Sequence, residues 1–478
     1  MNSGALSRKD ARGGVVTLIV PLANFNSASL GRRQCRLAVN PLVRWAFYGF
    51  VFSIPFEYPP RTIPLEVHTI TGSIFLVIAL IQPGVCFRKA PKALCWFGVY
   101  LFIYLSLTLF YSNHLNEAMI FFLNLLQSAF LCWVGYHLLR YEAIARGALL
   151  SFAISSAAVA SLLVMGIGTT VYRSTSEIER YTVLGQDPNT VGANMSLGII
   201  ALMGLPLGLG ATKRRSSLFT RLRFYLMIGP LMALQGVCLI MTGSRGGMMA
   251  LGVGILAFTL KQGNLLKMLR NFIVVLSALS FVAWVVINTE PMKSRYNKAV
   301  KDGDTAGRQY LYAHAFDMIE EKPFLGWGPG NQQYELYERT KHLEFGDPAK
   351  LKTRKTKAAH NLALEVLTSS GIVGAIPLLI CIGLCLWGGW KARATTQGIL
   401  PFALAIAVLM VNMTIPWEPA KQGWLIFAYA LAYGHASFNK KKERRRSLAS
   451  PNLYQPVLSP AAARNVSRLM IKKVPGRR

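Results

Sequence analysis

Long apolar runs alternate with short polar loops along most of this chain, and the loops themselves alternate between basic and nearly uncharged. Runs of that length cross a bilayer as helices, because in lipid every backbone polar group must be bonded within its own segment. The pattern predicts spans at Leu42–Phe56, Gly72–Cys86, Ala93–Tyr111, Met119–Leu139, Leu149–Ile167 and Thr190–Leu209. It continues with Phe224–Met241, Met248–Leu260, Phe272–Asn288, His360–Trp387, Ile399–Met413 and Trp424–Tyr433. The expectation is an all-α polytopic membrane protein of about twelve transmembrane helices. Its membrane domain covers 42–434, with one long polar loop at 290–359 inserted in it and containing short helices.

The long loop has a pattern of its own. Gly307-Arg308-Gln309-Tyr310-Leu311 opens an amphipathic helix reaching about Glu321, Pro323 ends it, and Gly326-Trp327-Gly328-Pro329-Gly330-Asn331 makes a rigid turn. Its far part, Lys350 to Lys357, is basic. Two further segments fall on the same side as this loop. One, Gly168 to Asn189, closes on Gly185-Gln186-Asp187-Pro188-Asn189-Thr190, a turn and helix start. The other is the tight turn Thr242-Gly243-Ser244-Arg245-Gly246-Gly247, where an arginine among glycines has room to swing toward a ligand.

Charge fixes the expected orientation. The formal net charge is +31, but the basic residues lie in every second short loop, which by the positive-inside rule places both termini in the cytoplasm. On that reading 1–41 is a basic cytoplasmic extension, 435–478 a basic disordered tail resting on anionic headgroups, and 290–359 periplasmic. Nucleic-acid binding is the weaker use of such charge. Val15 to Ala23 resembles a signal-peptide core, yet Arg32, Arg33 and Arg36 follow it, as in a cytoplasmic or interfacial leader. None of the seven cysteines lies in the long loop, so neither a disulfide framework nor a cysteine metal site is indicated.

Ordered along the chain, Thr242 to Gly247, Gly307-Arg308, the Gly-Trp-Gly-Pro-Gly-Asn turn and His360-Asn361 followed by Leu-Glu-Val-Leu-Thr-Ser-Ser-Gly-Ile-Val-Gly resemble the O-antigen ligase and O-antigen polymerase superfamily. The resemblance is densest from Asp187 to Gly374. It implies a bacterial inner-membrane glycosyltransferase of the C type, acting at the outer face on an undecaprenyl-diphosphate-linked glycan without nucleotide sugar, cofactor or metal. The acceptor it implies is lipid A-core saccharide for a ligase, or another lipid-linked glycan for a polymerase of O-antigen or exopolysaccharide. Transfer to a protein hydroxyl fits less well, because that subgroup carries further C-terminal sequence.

The chemistry agrees with that expectation. Displacing a lipid diphosphate from an anomeric carbon builds negative charge on the departing phosphate, which planar guanidinium groups match with paired hydrogen bonds. Arg245 and Arg308 are the candidate ligands, although a snorkelling helix-end arginine and a surface residue at a helix start are the plainer readings. His360 is the candidate to activate the acceptor hydroxyl, since imidazole exchanges a proton near neutrality; the alternatives are that it orients the acceptor or contacts the phosphate, and the plainer reading is an interfacial histidine capping its span. Arg180, Asp187, Asn189 and Asn361 are candidates for substrate binding, while His68 and His114 share that side of the bilayer without a motif. Asp302-Gly303-Asp304 could hold a divalent ion, but a solvated turn before the Arg308 helix is the simpler reading. The rival class is a transporter or flippase of lipid-linked glycans; against it, the spans hold few ionisable residues and no internal repeat is visible.

Overall fold

A computed structural model describes residues 39–56, 67–173, 179–209, 218–260, 265–288, 308–342, 356–393, 395–415 and 420–434. In chain order its helices are α1 Pro41–Ser53, α2 Val67–Ala79, α3 Pro83–Cys86, α4 Lys92–Tyr111, α5 Leu115–Leu139 and α6 Glu142–Val164. A hairpin follows, β1 Thr169–Arg173 and β2 Glu179–Val183, then α7 Pro188–Leu209, α8 Leu218–Thr242, α9 Arg245–Thr259 and α10 Leu265–Ile287. Two short helices, α11 Arg308–Glu321 and α12 Asn331–Thr340, precede α13 Leu362–Ala392, α14 Leu400–Asn412 and α15, 421–434.

Four helices, α4, α5, α6 and α13, are long and apolar enough to cross a membrane by themselves. Shorter apolar helices include α2, α9 and α14. The packing is inside out relative to a protein in water. Phe102 (73% exposed) and Phe110 (88%) face outward, while Ser155, Ser156, Ser196, Gln235, Thr242 and Ser244 are fully buried. Buried polar groups then bond the helices to one another, as where Gln235 Nε2 of α8 donates to the Ala153 carbonyl of α6 at 2.8 Å. The fold is therefore that of a helical membrane protein.

Several predicted boundaries move, each for a local reason. The run Gly72–Cys86 is not one helix: α2 ends at Ala79 and Pro83, which lacks a backbone donor, starts the separate turn of α3. The helix expected from Met248 begins at Arg245, because Ser244 caps it by accepting from the Gly247 amide at 3.1 Å. Arg245 is therefore a helix-start residue and not part of the turn. The segment from Gly168 to Asn189 contains the hairpin, with Thr169 opposite Val183 and Arg173 opposite Glu179; its β-branched and aromatic residues favour strand over loop. Val183 then joins Val159, Leu163, Val191, Met195 and Leu239 in a core shared by α6, β2, α7 and α8.

The His360–Trp387 span runs from Leu362 to Ala392 and is broken at Gly371, whose φ of 60° and ψ of −163° are not helical. A break inside a span strands backbone groups, and here the 323–328 turn satisfies them. Trp327 and Gly328 donate to the Thr368 and Ser369 carbonyls at 2.7 and 3.1 Å, while Ile372 and Val373 donate to the Pro323 and Phe324 carbonyls at 2.9 and 3.2 Å. The backbones pass so close that a Cβ on Gly371 would sit 2.2 Å from the Phe324 oxygen. The turn is held on its other side by the α4–α5 corner. There Ser112 donates to the Pro329 carbonyl at 2.7 Å, and Asn331 Nδ2 to the Tyr111 carbonyl at 3.0 Å.

Candidate functional site

The site is built where the hairpin, α7, α8, α9, α11 and the end of α14 meet. Arg180 on β2 donates through Nε to the Thr242 carbonyl at 3.0 Å and through Nη2 to Asn189 Oδ1 at 2.9 Å. Two of the sequence-selected segments, 168–189 and 242–247, are thereby tied together. Asp187 is exposed and accepts the Asn189 amide at 2.7 Å, which opens α7. In this structure Arg180 and Asp187 thus both bond to Asn189, and Arg180 also to the α8 end.

Small residues then let α9 approach α7 and α14. A Cβ on Gly247 would lie 2.8 Å from the Gly192 oxygen, and one on Gly246 would lie 2.0 Å from Thr414 Oγ1. Ser196 Oγ closes the first contact by donating to the Gly247 carbonyl at 2.7 Å. Arg245, exposed, leads this helix. A helix start favours anions, so a cation placed there gains from an anionic ligand between the two.

Thr414 links the second arginine. Arg308 Nη2 donates to the Thr414 carbonyl at 2.7 Å, so the residue whose side chain meets Gly246 is also the one that holds Arg308. From Arg308, α11 presents Leu311, Ala315 and Met318 at helical spacing to Leu336, Ala359 and Leu364. Ala359 is the residue before His360, which itself has φ of 56°, a left-handed conformation rare outside glycine. Contacts therefore run without interruption from Arg180 through the Arg245 helix start and Thr414 to Arg308, and along α11 to the His360 segment.

Asn361 is a cap: its Oδ1 accepts from the Ala363 and Leu364 amides at 2.9 and 3.4 Å. Beneath it lies Glu365, 7% exposed, whose Oε1 accepts the Ala359 amide. Two other polar groups escape sequence reasoning. Thr414 carries no motif, and Lys421 at the start of α15 is 2% exposed and donates to Thr69 Oγ1 at 2.7 Å. Of the two motif-less histidines, His68 is buried in α2, whereas His114 stacks on Tyr334 of α12 at 3.5 Å.

Around the turn, Lys322 and Arg339 lie over the Trp327 ring at 3.8 and 5.0 Å. Arg339 also grips Glu321 with two bonds of 2.7 Å, which holds the Glu321 carboxyl below its ordinary range. Lys357, the described end of the basic stretch, has its ammonium pushed down by burial. The rest of Lys350 to Lys357 up to residue 355 lies outside the described residues, as do Asp302 and Asp304. Among the described residues no group of three or more His, Cys, Asp and Glu could hold a metal ion.

Residues 230–379 match the family model described as O-antigen ligase. No curated protein matches the chain. The matched stretch contains the α9 start, α11, the 326–331 turn, His360 and the break in α13. Over residues 230–379 this membrane protein is therefore similar to the O-antigen ligase family.

Proposed function

We propose that this chain transfers a glycan from an undecaprenyl-diphosphate carrier to an acceptor hydroxyl at the periplasmic face of the bacterial inner membrane, and that the acceptor is lipid A-core. The observation that carries the reading is the sharing of Thr414: its side chain meets Gly246, beside Arg245, and its carbonyl accepts from Arg308. Two guanidinium-bearing helix starts thus adjoin one residue inside a family whose substrates are lipid-linked glycans. In this reading Arg245 and Arg308 hold the diphosphate and stabilise the charge it gains as the glycosidic bond breaks. His360 receives the proton of the attacking hydroxyl, and no metal takes part. A single displacement inverts the anomeric carbon.

The test is glycan transfer in membranes carrying Arg245→Ala, Arg308→Ala or His360→Ala at equal protein level. Loss of a charge-stabilising donor costs about 10²- to 10³-fold in rate, and loss of a general base about 10²- to 10⁴-fold. Full transfer by the Arg308 and His360 variants rules the assignment out. Product growing on a second lipid-linked glycan, with none on lipid A-core, would identify a polymerase.

A further inference from the structure

The carboxylate behind His360 has no role in the reading above. Glu365 lies in the first turn of α13, is 7% exposed, and folds its side chain back so that Oε1 accepts the Ala359 amide. An ordinary capping box returns a side chain three residues to the cap itself. Here the bond spans six residues, from Glu365 past the Asn361 cap to the residue before His360.

His360 therefore sits between two fixed points. On one side Asn361 Oδ1 holds the Ala363 and Leu364 amides, and on the other Glu365 holds the Ala359 amide. Between them His360 adopts φ 56°, which crowds its Cβ against its own backbone. Such a conformation persists only where its surroundings impose it. Ala359, 1% exposed, is also packed in the cluster under α11, so the imposed segment is registered against the helix that carries Arg308.

We propose that Glu365 is a positioning residue that acts through His360: its bond to the Ala359 amide holds the imidazole at the angle from which it meets the acceptor hydroxyl. This rests on the reading of His360 given above. What matters is the reach of an acceptor oxygen to that amide. Glutamine keeps that reach, and aspartate, one methylene shorter, keeps the charge but falls short.

The experiment measures transfer from an undecaprenyl-diphosphate-linked oligosaccharide to lipid A-core by purified Glu365→Gln, Glu365→Asp, His360→Ala and the His360→Ala/Glu365→Asp pair. A misplacement of the order of 1 Å costs about a hundredfold, so Glu365→Asp should lower kcat by about 10- to 100-fold with donor KM unchanged. Glu365→Gln should stay within about threefold of the parent, since the bond is retained. On the His360→Ala background the Asp change should add nothing, as expected for groups that act as one unit. Glu365→Gln falling as far as Glu365→Asp, an unchanged Glu365→Asp, or an equal further loss on His360→Ala overturns the proposal. Full transfer by His360→Ala alone fails the parent reading first, in a variant where Glu365 is intact, and takes the positioning role with it.

Discussion

Arg180 donates to a carbonyl and to an amide oxygen on two different elements, so its removal has two consequences. Arg180→Ala leaves the Thr242 carbonyl at the end of α8 and the Asn189 side chain without those bonds; two charge-assisted bonds put the cost at about 3–6 kcal/mol. The measurement is thermal unfolding in detergent, and an unchanged midpoint would contradict it. Arg180→Lys, lacking the fork, can keep one bond and should recover about half. Asn361 separates structure from chemistry in the same way. Asn361→Ala removes a cap worth about 1 kcal/mol, whereas Asn361→Asp caps equally well. If Asn361 only starts α13, the Asp variant transfers glycan at the parental rate; if the amide contacts substrate, it unfolds normally and transfers poorly.

Among elements, the break in α13 is the feature on which the loop depends. Gly371 lies nine residues past Leu362, which at 1.5 Å per residue is about 14 Å along the helix. Four backbone bonds from the 323–328 turn occupy the groups the break exposes, so α11, α12 and α13 share one register. Gly371→Ala meets two obstacles, a left-handed φ of 60° and a carbonyl 2.2 Å from the new Cβ. The turn must then leave the helix, and limited proteolysis should cut near 326–331 in the variant but not the parent. A second expectation concerns pH. Because Arg339 depresses the Glu321 carboxyl, that ion pair adds stability above the ordinary carboxylate pKa and loses it as pH falls through the lower folded value. Proteolysis of the α11–α12 segment should therefore rise below about pH 4, and Glu321→Gln should flatten the rise. The sequence announced α11 almost to the residue, since Arg308, Pro323 and the apolar spacing mark both ends. It did not announce the break, because a glycine within an apolar run is ordinary in membrane helices. Nor did it announce the hairpin, whose five-residue strands are too short for alternation to stand out.

For the whole molecule, hydropathy located the membrane-embedded runs but not which of them cross. Crossing depends on burial against other helices, which apolar composition does not encode. The candidate site divides similarly: Arg308 and His360 stood out beside motifs and Glu365 lay unremarked inside one, whereas Thr414 and Lys421 act through single polar atoms at the edges of apolar runs. The test case is α14, with 13 residues, about 20 Å long against a hydrocarbon core of about 30 Å. Its residues Leu400, Ala403, Leu404, Ala407, Val408 and Val411 are all buried in protein, so it need not match the lipid thickness. If α13, α14 and α15 all cross, an odd number of crossings places α11 and the tail after residue 434 on opposite faces; if α14 turns back, they share one. In a background without native cysteines, Phe316→Cys on α11, where the parent side chain is 56% exposed, should react with an impermeant maleimide on cells whose outer membrane alone is opened. Ser447→Cys in the tail should react only after the inner membrane is lysed, as the basic run from Lys440 to Arg446 requires for a cytoplasmic segment. Labelling of both on intact inner membranes would show an even number of crossings between them, as when α14 turns back, and labelling of Ser447→Cys alone would invert the orientation and remove Arg245, Arg308 and His360 from the periplasmic face proposed for them.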